Sequence, residues 1–108
     1  MTTTFTAIAD PVRRNILGVL LQGEHTVGAL VDRLELAQPS VSKHLGTLRA
    51  AGLVRTRIDG PRRFYSLEPA PLAEVEDWLA SYRAFWERRL DALEEHLKQQ
   101  HPTTGKGA

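Results

Sequence analysis

Apolar residues recur at helical spacing in three segments before residue 35, which predicts three short helices. The first, from Thr3 to Ala9, has no clear start signal. Asp10 and Pro11 mark the second, because an aspartate accepts the free N–H groups of a first turn and proline supplies a preset φ; it is expected to run to about Gln22. Thr26 is expected to cap the third helix. The predicted buried positions of the second and third helices are Val12, Ile16, Leu17, Leu20, Leu21, Val27, Leu30, Val31 and Leu34.

A fourth helix is predicted to begin about three residues later, within the segment 38–54. Pro39 suits its first turn, and Gly52 suits the left-handed position just past its end. Val41, Leu45 and Leu48 place a narrow apolar stripe on one face, whereas the opposite face carries small and hydrogen-bonding residues and no acid. This face alone fits an ordinary amphipathic surface helix equally well. Two helices joined so tightly must cross steeply, however, which favours a helix-turn-helix whose second helix enters the DNA major groove.

Alternating positions replace the helical spacing after the fourth helix and predict a β-hairpin. Residues 54–59 form the first strand, a Gly-Pro turn follows, and residues 62–67 form the second, with Tyr65 and Leu67 on the core side. Arginines flank the turn. Basic hairpin tips are often only solvated, but a basic hairpin directly after a helix-turn-helix is typical of a wing, whose arginines follow the DNA backbone or enter the minor groove.

A long terminal helix is predicted from about Leu72 to Gln100, after Pro69 and Pro71 end the hairpin. Its apolar seam would extend roughly 39 Å at about 1.5 Å per residue, which is longer than a domain this small covers on one side. The seam therefore predicts a second copy of the chain as a partner; the alternative is that the whole seam packs within one chain. The seam consists of Leu72, Val75, Leu79, Tyr82, Trp86, Leu90, Leu93 and Leu97, and Trp78 and Phe85 add a second apolar edge.

The expected fold is mainly α with a small β-hairpin: a winged helix-turn-helix in the order α-α-α-α-β-β-α. Residues 1–100 are expected to form one DNA-binding domain that includes the dimerisation helix at about 71–100, and residues 101–108 a disordered tail. At 108 residues, 42% hydrophobic and 25% charged, the chain is long enough for one modest core. It has no signal peptide and no long apolar run, so we expect a cytoplasmic protein without a membrane partner.

Charge is divided along the chain although the net charge is only +1. The segment 38–65 carries six basic side chains against one acid, whereas the segment 68–97 carries eight acids against three bases. A basic middle suits a polyanion such as double-stranded DNA, and the acidic third is not expected to touch the same polyanion.

The motifs taken in this order resemble those of the ArsR family of winged-helix transcriptional repressors: Asp10-Pro-Val-Arg-Arg14, Gln38-Pro-Ser-Val-Ser-Lys-His-Leu45, Leu48-Arg-Ala-Ala-Gly-Leu-Val54 and Arg62-Arg-Phe-Tyr-Ser-Leu67 before a long helix. The resemblance implies a homodimer that binds an inverted repeat near its promoter and represses transcription until released.

The resemblance also implies which residues contact DNA and the partner. Base contacts are expected from Gln38, Ser40, Ser42, Lys43 and His44, with Arg62 and Arg63 in the wing. Thr47 on the outward helix face and Arg57 beside the turn complete the expected DNA-binding set. The expected dimer interface comprises Phe5, Leu72, Val75, Leu79, Tyr82, Trp86, Leu90 and Leu93.

Metal-sensing members of the family use a cysteine pair on the third helix, or acid and histidine pairs on the terminal helix. The first site cannot exist here, because the chain has no cysteine. The terminal helix offers no histidine before His96 and His101, and a solvated face is the better interpretation of these residues with Glu95. We therefore predict no metal and no cofactor.

Three alternatives stay open at this stage. The first is a winged helix that binds protein or RNA, and the second is a sensor of an unknown small-molecule inducer near Trp78, Tyr82 and Trp86, although such aromatics more often serve packing. An enzyme is the least supported, since the chain shows no nucleophile-base pair, glycine-rich phosphate loop or paired carboxylates in an apolar setting.

Overall fold

A computed structural model describes residues 3–100 of the chain; the expected tail at 101–108 lies outside the described residues. The chain forms two compact units, one ending at Val75 and the other beginning at Glu76. The elements are α1 (Thr4–Ile8), α2 (Pro11–Leu20), β1 (His25–Thr26), α3 (Val27–Leu34), α4 (Gln38–Ala50), β2 (Val54–Asp59), β3 (Arg62–Leu67) and α5 (Leu72–Gln100). The predicted winged-helix architecture is confirmed.

The helix starts of α2 and α3 are fixed by side-chain caps. The Asp10 Oδ1 accepts hydrogen bonds from the backbone N–H groups of Val12, at 2.8 Å, and Arg13, at 3.1 Å. The hydrogen bond from Arg13 is the main reason why the pKa of Asp10 lies below its ordinary value. The Thr26 Oγ1 accepts from the N–H of Ala29 at 3.1 Å in the same manner.

The C-terminal end of α2 differs from the sequence-based expectation. The helix ends at Leu20 rather than near Gln22, and Leu21 is its C-cap. The predicted burial of Leu21 is wrong, because its side chain is 74% exposed, whereas that of Leu20 is 3% exposed. The apolar face of α2 thus stops one residue before the helical pattern suggests.

The helix-turn-helix is formed by α3, a short turn and α4. Glu35 adopts a left-handed conformation with φ of 56° and ends α3. Gly52 closes α4 with φ of 77°, and the N–H of Leu53 reaches back to the carbonyl of Leu48 at 2.9 Å. Glu35 thus ends the first helix of the motif, and Gly52 ends the second.

The core is formed by α1 to α4 and one face of the sheet. Its buried members are Ala7, Ile16, Leu17, Leu20, Leu30, Val41, Leu45, Leu48, Leu53, Val54 and Tyr65. The sheet has the order β1-β3-β2, with Tyr65 opposite His25 and Thr56. The predicted hairpin is confirmed, but β1 adds a third strand that the sequence did not suggest. Ile58 is 67% exposed because the hairpin extends beyond the core.

Candidate nucleic-acid interface

The outward face of α4 is exposed to solvent, whereas its inward face is buried in the core. Val41, Leu45 and Leu48 are at most 1% exposed and fix the helix to the core. The expected contact residues divide by exposure: Gln38, Ser42 and Lys43 are exposed, and Ser40, His44 and Thr47 are half-buried. Since α4 carries no acid, this face can approach phosphates without like-charge repulsion.

Local hydrogen bonds order part of this face. The Gln38 Nε2 donates to the Ser42 Oγ at 3.3 Å, and the Thr47 hydroxyl donates to the Lys43 carbonyl at 3.4 Å. Within residues 3–100, the Lys43 ammonium forms no ion pair and no side-chain hydrogen bond. It therefore meets no protein carboxylate that would compete with a phosphate for its charge.

His44 in α4 contacts Arg13 in α2, a residue that was not among the predicted site residues. The Arg13 Nε donates to the Ala7 carbonyl at 2.7 Å, Nη2 to the Thr6 carbonyl at 3.2 Å, and Nη1 lies 3.3 Å from the His44 Nδ1. Helical spacing placed Arg13 on an outward face, and nothing in that spacing indicated that its guanidinium joins α1 to α4.

The arginines of the wing are not equivalent. Arg57 makes two hydrogen bonds to Glu24, at 3.0 and 2.9 Å, and Arg55 lies 3.6 Å from Glu68. In the part of the chain that the structure describes, Arg62 and Arg63 form no such pair. Both are exposed beside the turn. The wing thus separates paired cations on β2 from unpaired cations on β3.

The second unit presents the apolar face of α5, in which no residue is buried. Between 39% and 60% of each large apolar side chain is exposed, in the series Trp78, Leu79, Tyr82, Phe85, Trp86, Leu90, Leu93 and Leu97. Ring contacts run along the helix: Trp78 and Tyr82 have centroids 5.1 Å apart, and Phe85 meets Trp86 edge-on at 6.4 Å. No helix among the described residues is long and apolar enough to cross a membrane.

No group of three or more histidines, acids or cysteines among residues 3–100 could hold a metal ion. His101, which the sequence analysis considered with His96, lies outside the described residues.

A tight helix-turn-helix, an acid-free outward helix and a basic hairpin define a winged-helix DNA-binding protein. Residues 10–56 match the family described as bacterial regulatory protein, arsR family. The chain is 33% identical over 82 residues to the transcriptional repressor SdpR of Bacillus subtilis, covering 76% of this chain and 91% of that protein. It is 42% identical over 84 residues to the regulator Rv2034 of Mycobacterium tuberculosis, covering 78% and 76%.

A solved ArsR-like transcriptional regulator from Rhodococcus sp. RHA1 superposes with a TM-score of 0.68 at 30% identity, covering 88% of this chain and 87% of that one. The chain belongs to the ArsR family. It is a DNA-binding transcriptional regulator and, like the family as a whole, not an enzyme.

Proposed function

We propose that the chain is a homodimeric repressor that binds an inverted-repeat operator in double-stranded DNA and does so without a metal. The observation that carries this proposal is the exposed apolar face of α5 on a chain whose α4 and wing are basic. Repression is supported by the similarity to SdpR, which is a transcriptional repressor.

Dimerisation is supported by the length of the apolar face. Soluble proteins rarely leave so long a series of aromatic and leucine side chains in water, and such patches usually mark an interface. A second copy of α5 offers the same face, so a two-fold axis would bury both. Three predicted members of this interface lie outside that exposed series: Phe5 is 37% exposed, Val75 is half-buried, and Leu72 packs against the core of its own chain.

The operator symmetry follows from the dimer. A two-fold pair of winged helices presents two copies of α4, and each would enter a major groove with its N-terminal residues toward the base edges. The two half-sites would then be inverted and separated by about one helical turn or a multiple of it. Gln38, Ser40, Ser42, Lys43, His44 and Thr47 are the proposed groove residues, and Arg62 and Arg63 the proposed wing contacts.

Metal independence is supported by the ligands that the chain offers. It contains no cysteine, and its described histidines and acids do not converge. Operator binding should therefore be unchanged by EDTA. A small-molecule inducer near Trp78, Tyr82 and Trp86 stays a prediction.

The direct test is fluorescence anisotropy with the duplex upstream of the protein's own gene, compared with a random duplex of equal length. Binding should be tighter to the upstream duplex and should weaken with salt. Each phosphate contact should add about 0.9 to the steepness of the fall in log binding constant with log salt concentration. Equal affinity for the two duplexes would reject the proposal. A reporter placed behind the same duplex should fall when the protein is expressed; a rise would reject repression.

Two substitutions test the proposed contact surface. Lys43→Ala and Arg63→Ala should each weaken binding and reduce the salt slope by about 0.9 per lost phosphate contact. Lys98→Ala and Arg88→Ala, which remove exposed cations from α5, are the matched controls and should leave binding unchanged. If neither Lys43→Ala nor Arg63→Ala weakened binding, the DNA-binding surface would lie elsewhere.

A further inference from the structure

The side chain of Arg57 spans the wing sheet from one edge to the other. Arg57 lies on the edge strand β2, its guanidinium carbon is 4.5 Å from the ring centroid of Phe64 on the central strand β3, and its nitrogens end on Glu24. Glu24 directly precedes β1, the opposite edge strand. One side chain thus connects both edges of a sheet whose β1 has only two residues.

The ion pair has the geometry of a fork on a carboxylate. The Arg57 Nε donates to Glu24 Oε2 at 3.0 Å and Nη2 donates to Oε1 at 2.9 Å, so both carboxylate oxygens are occupied. The hydrogen bonds from Arg57 lower the pKa of Glu24 and raise that of Arg57. The carboxylate of Asp59 lies 3.9 Å from the Arg57 Nη1.

The surroundings make Arg57 a poor phosphate ligand. To reach a phosphate its guanidinium would have to leave both the Glu24 fork and the Phe64 ring. The charge of Arg57 is also partly neutralised, because its guanidinium lies beside the two carboxylates of Glu24 and Asp59. Within residues 3–100, Arg62 and Arg63 form no ion pair with a carboxylate and no stacking contact with an aromatic ring.

We propose that Arg57 is a positioning residue, which holds the wing to the loop before β1 through Glu24 so that Arg62 and Arg63 can contact the DNA backbone. This inference rests on the DNA binding proposed above and assigns Arg57 a different role from the DNA contact expected from the sequence. It also gives Glu24, an acid, a part in binding a polyanion.

The test is the salt dependence of operator binding for five variants: Arg57→Ala, Glu24→Gln, these two combined, the exchange Glu24→Arg with Arg57→Glu, and Arg63→Ala. The first two should weaken binding roughly two- to fivefold, the range expected for an exposed ion pair, without changing the salt slope. Combining them should be no worse than either alone. The exchange should restore part of the affinity, because it re-forms the ion pair in reverse although the new carboxylate lies near Asp59; a lost phosphate contact could not be restored in this way. Arg63→Ala should lower the slope.

A second measurement separates positioning from general destabilisation. Hydrogen exchange of the backbone amides of residues 58–60, 62 and 63 should accelerate in Arg57→Ala and Glu24→Gln and slow again, at least in part, in the charge-swapped variant, while the amides of α4 stay protected. A reduced salt slope for Arg57→Ala, tighter binding by Glu24→Gln, or an additive loss in the double variant Arg57→Ala with Glu24→Gln would overturn the inference. If the wild type shows no operator preference, the proposed function fails. The hydrogen-exchange measurement then still tests whether the ion pair holds the wing.

Discussion

The Nη1 of Arg13 in α2 lies 3.3 Å from the Nδ1 of His44 in α4. A guanidinium can only donate hydrogen bonds, so the His44 Nδ1 must be the acceptor and the proton of a neutral ring must sit on Nε2. The same guanidinium binds the carbonyls of Thr6 and Ala7 at the end of α1. Arg13 therefore sets both the hydrogen-bonding character of His44 and the attachment of α4 to α1.

We expect His44 to be the Nε2–H tautomer when its ring is neutral. In alkaline buffer, the ¹⁵N shifts of its two ring nitrogens should show a protonated Nε2 and an unprotonated Nδ1. Arg13→Ala should give a mixture of tautomers, because the donor that selects Nδ1 as acceptor is gone. His25, whose Nδ1 lies 2.8 Å from the Gly23 carbonyl, is the internal control and should be unchanged. An Nδ1–H tautomer of His44 in the wild type would contradict the contact.

The different burial of Leu48 in α4 and of Leu21 at the end of α2 predicts that their truncations have different effects on stability. Leu48→Ala should lower the free energy of unfolding by about 2–5 kcal/mol, because Leu48 is fully buried on the inward face of α4 and its truncation leaves a cavity. Leu21→Ala should cost less than about 0.5 kcal/mol, since that side chain is largely exposed. Urea titration of both variants measures the difference. Equal losses in the free energy of unfolding would mean that the Leu21 side chain is buried in solution.

Local pattern was sufficient for the helices and for the two strands of the hairpin. The alternation at 54–59 and 62–67 gave both strands of the hairpin, and the end of α4 followed from Gly52, whose φ of 77° suits glycine. The caps at Asp10 and Thr26 formed as their residue types indicate. Each of these features depends on a few neighbouring residues, which is why the sequence alone could specify it.

The partners of the site residues were not predictable in the same way. Arg57 meets Glu24 across 33 positions and Arg13 meets His44 across 31, and both contacts exist only once the helices and sheet have packed. The pairing of β1 with β3 is likewise non-local, and two residues carry too little pattern to indicate a strand. Periodicity thus located the basic surface but could not distinguish paired from unpaired arginines.

The cap at Asp10 predicts a pH dependence of stability. Its pKa in the folded chain lies below the ordinary 3.8, mainly because the Arg13 N–H binds the ionised form. The charged cap therefore stabilises the fold fully above pH 3.8, and this contribution is lost as the pH falls through the lower folded value. Asp10→Asn keeps a capping oxygen without the charge.

Thermal unfolding of the wild type and Asp10→Asn as a function of pH measures this contribution. The wild type should be more stable by a constant margin near neutral pH, and the margin should shrink below pH 3.8. Asp32→Asn is a suitable control, because Asp32 is an exposed acid on α3 that forms no hydrogen bond or ion pair within residues 3–100. A margin that grew on acidification would show that the charge of Asp10 opposes folding.

The apolar face of α5 predicts a dimer that a single charge can break. Leu79→Glu or Trp86→Glu should give monomer or aggregate, because in the proposed dimer each would bury an unpaired carboxylate on both sides of the two-fold axis. Ala84→Glu introduces the same charge at a position about 140–160° away around the helix and should leave the dimer intact. Sedimentation velocity at micromolar concentration distinguishes these states. A wild type that sediments as a monomer would remove the basis for a two-fold operator, because one recognition helix alone has no reason to prefer an inverted repeat.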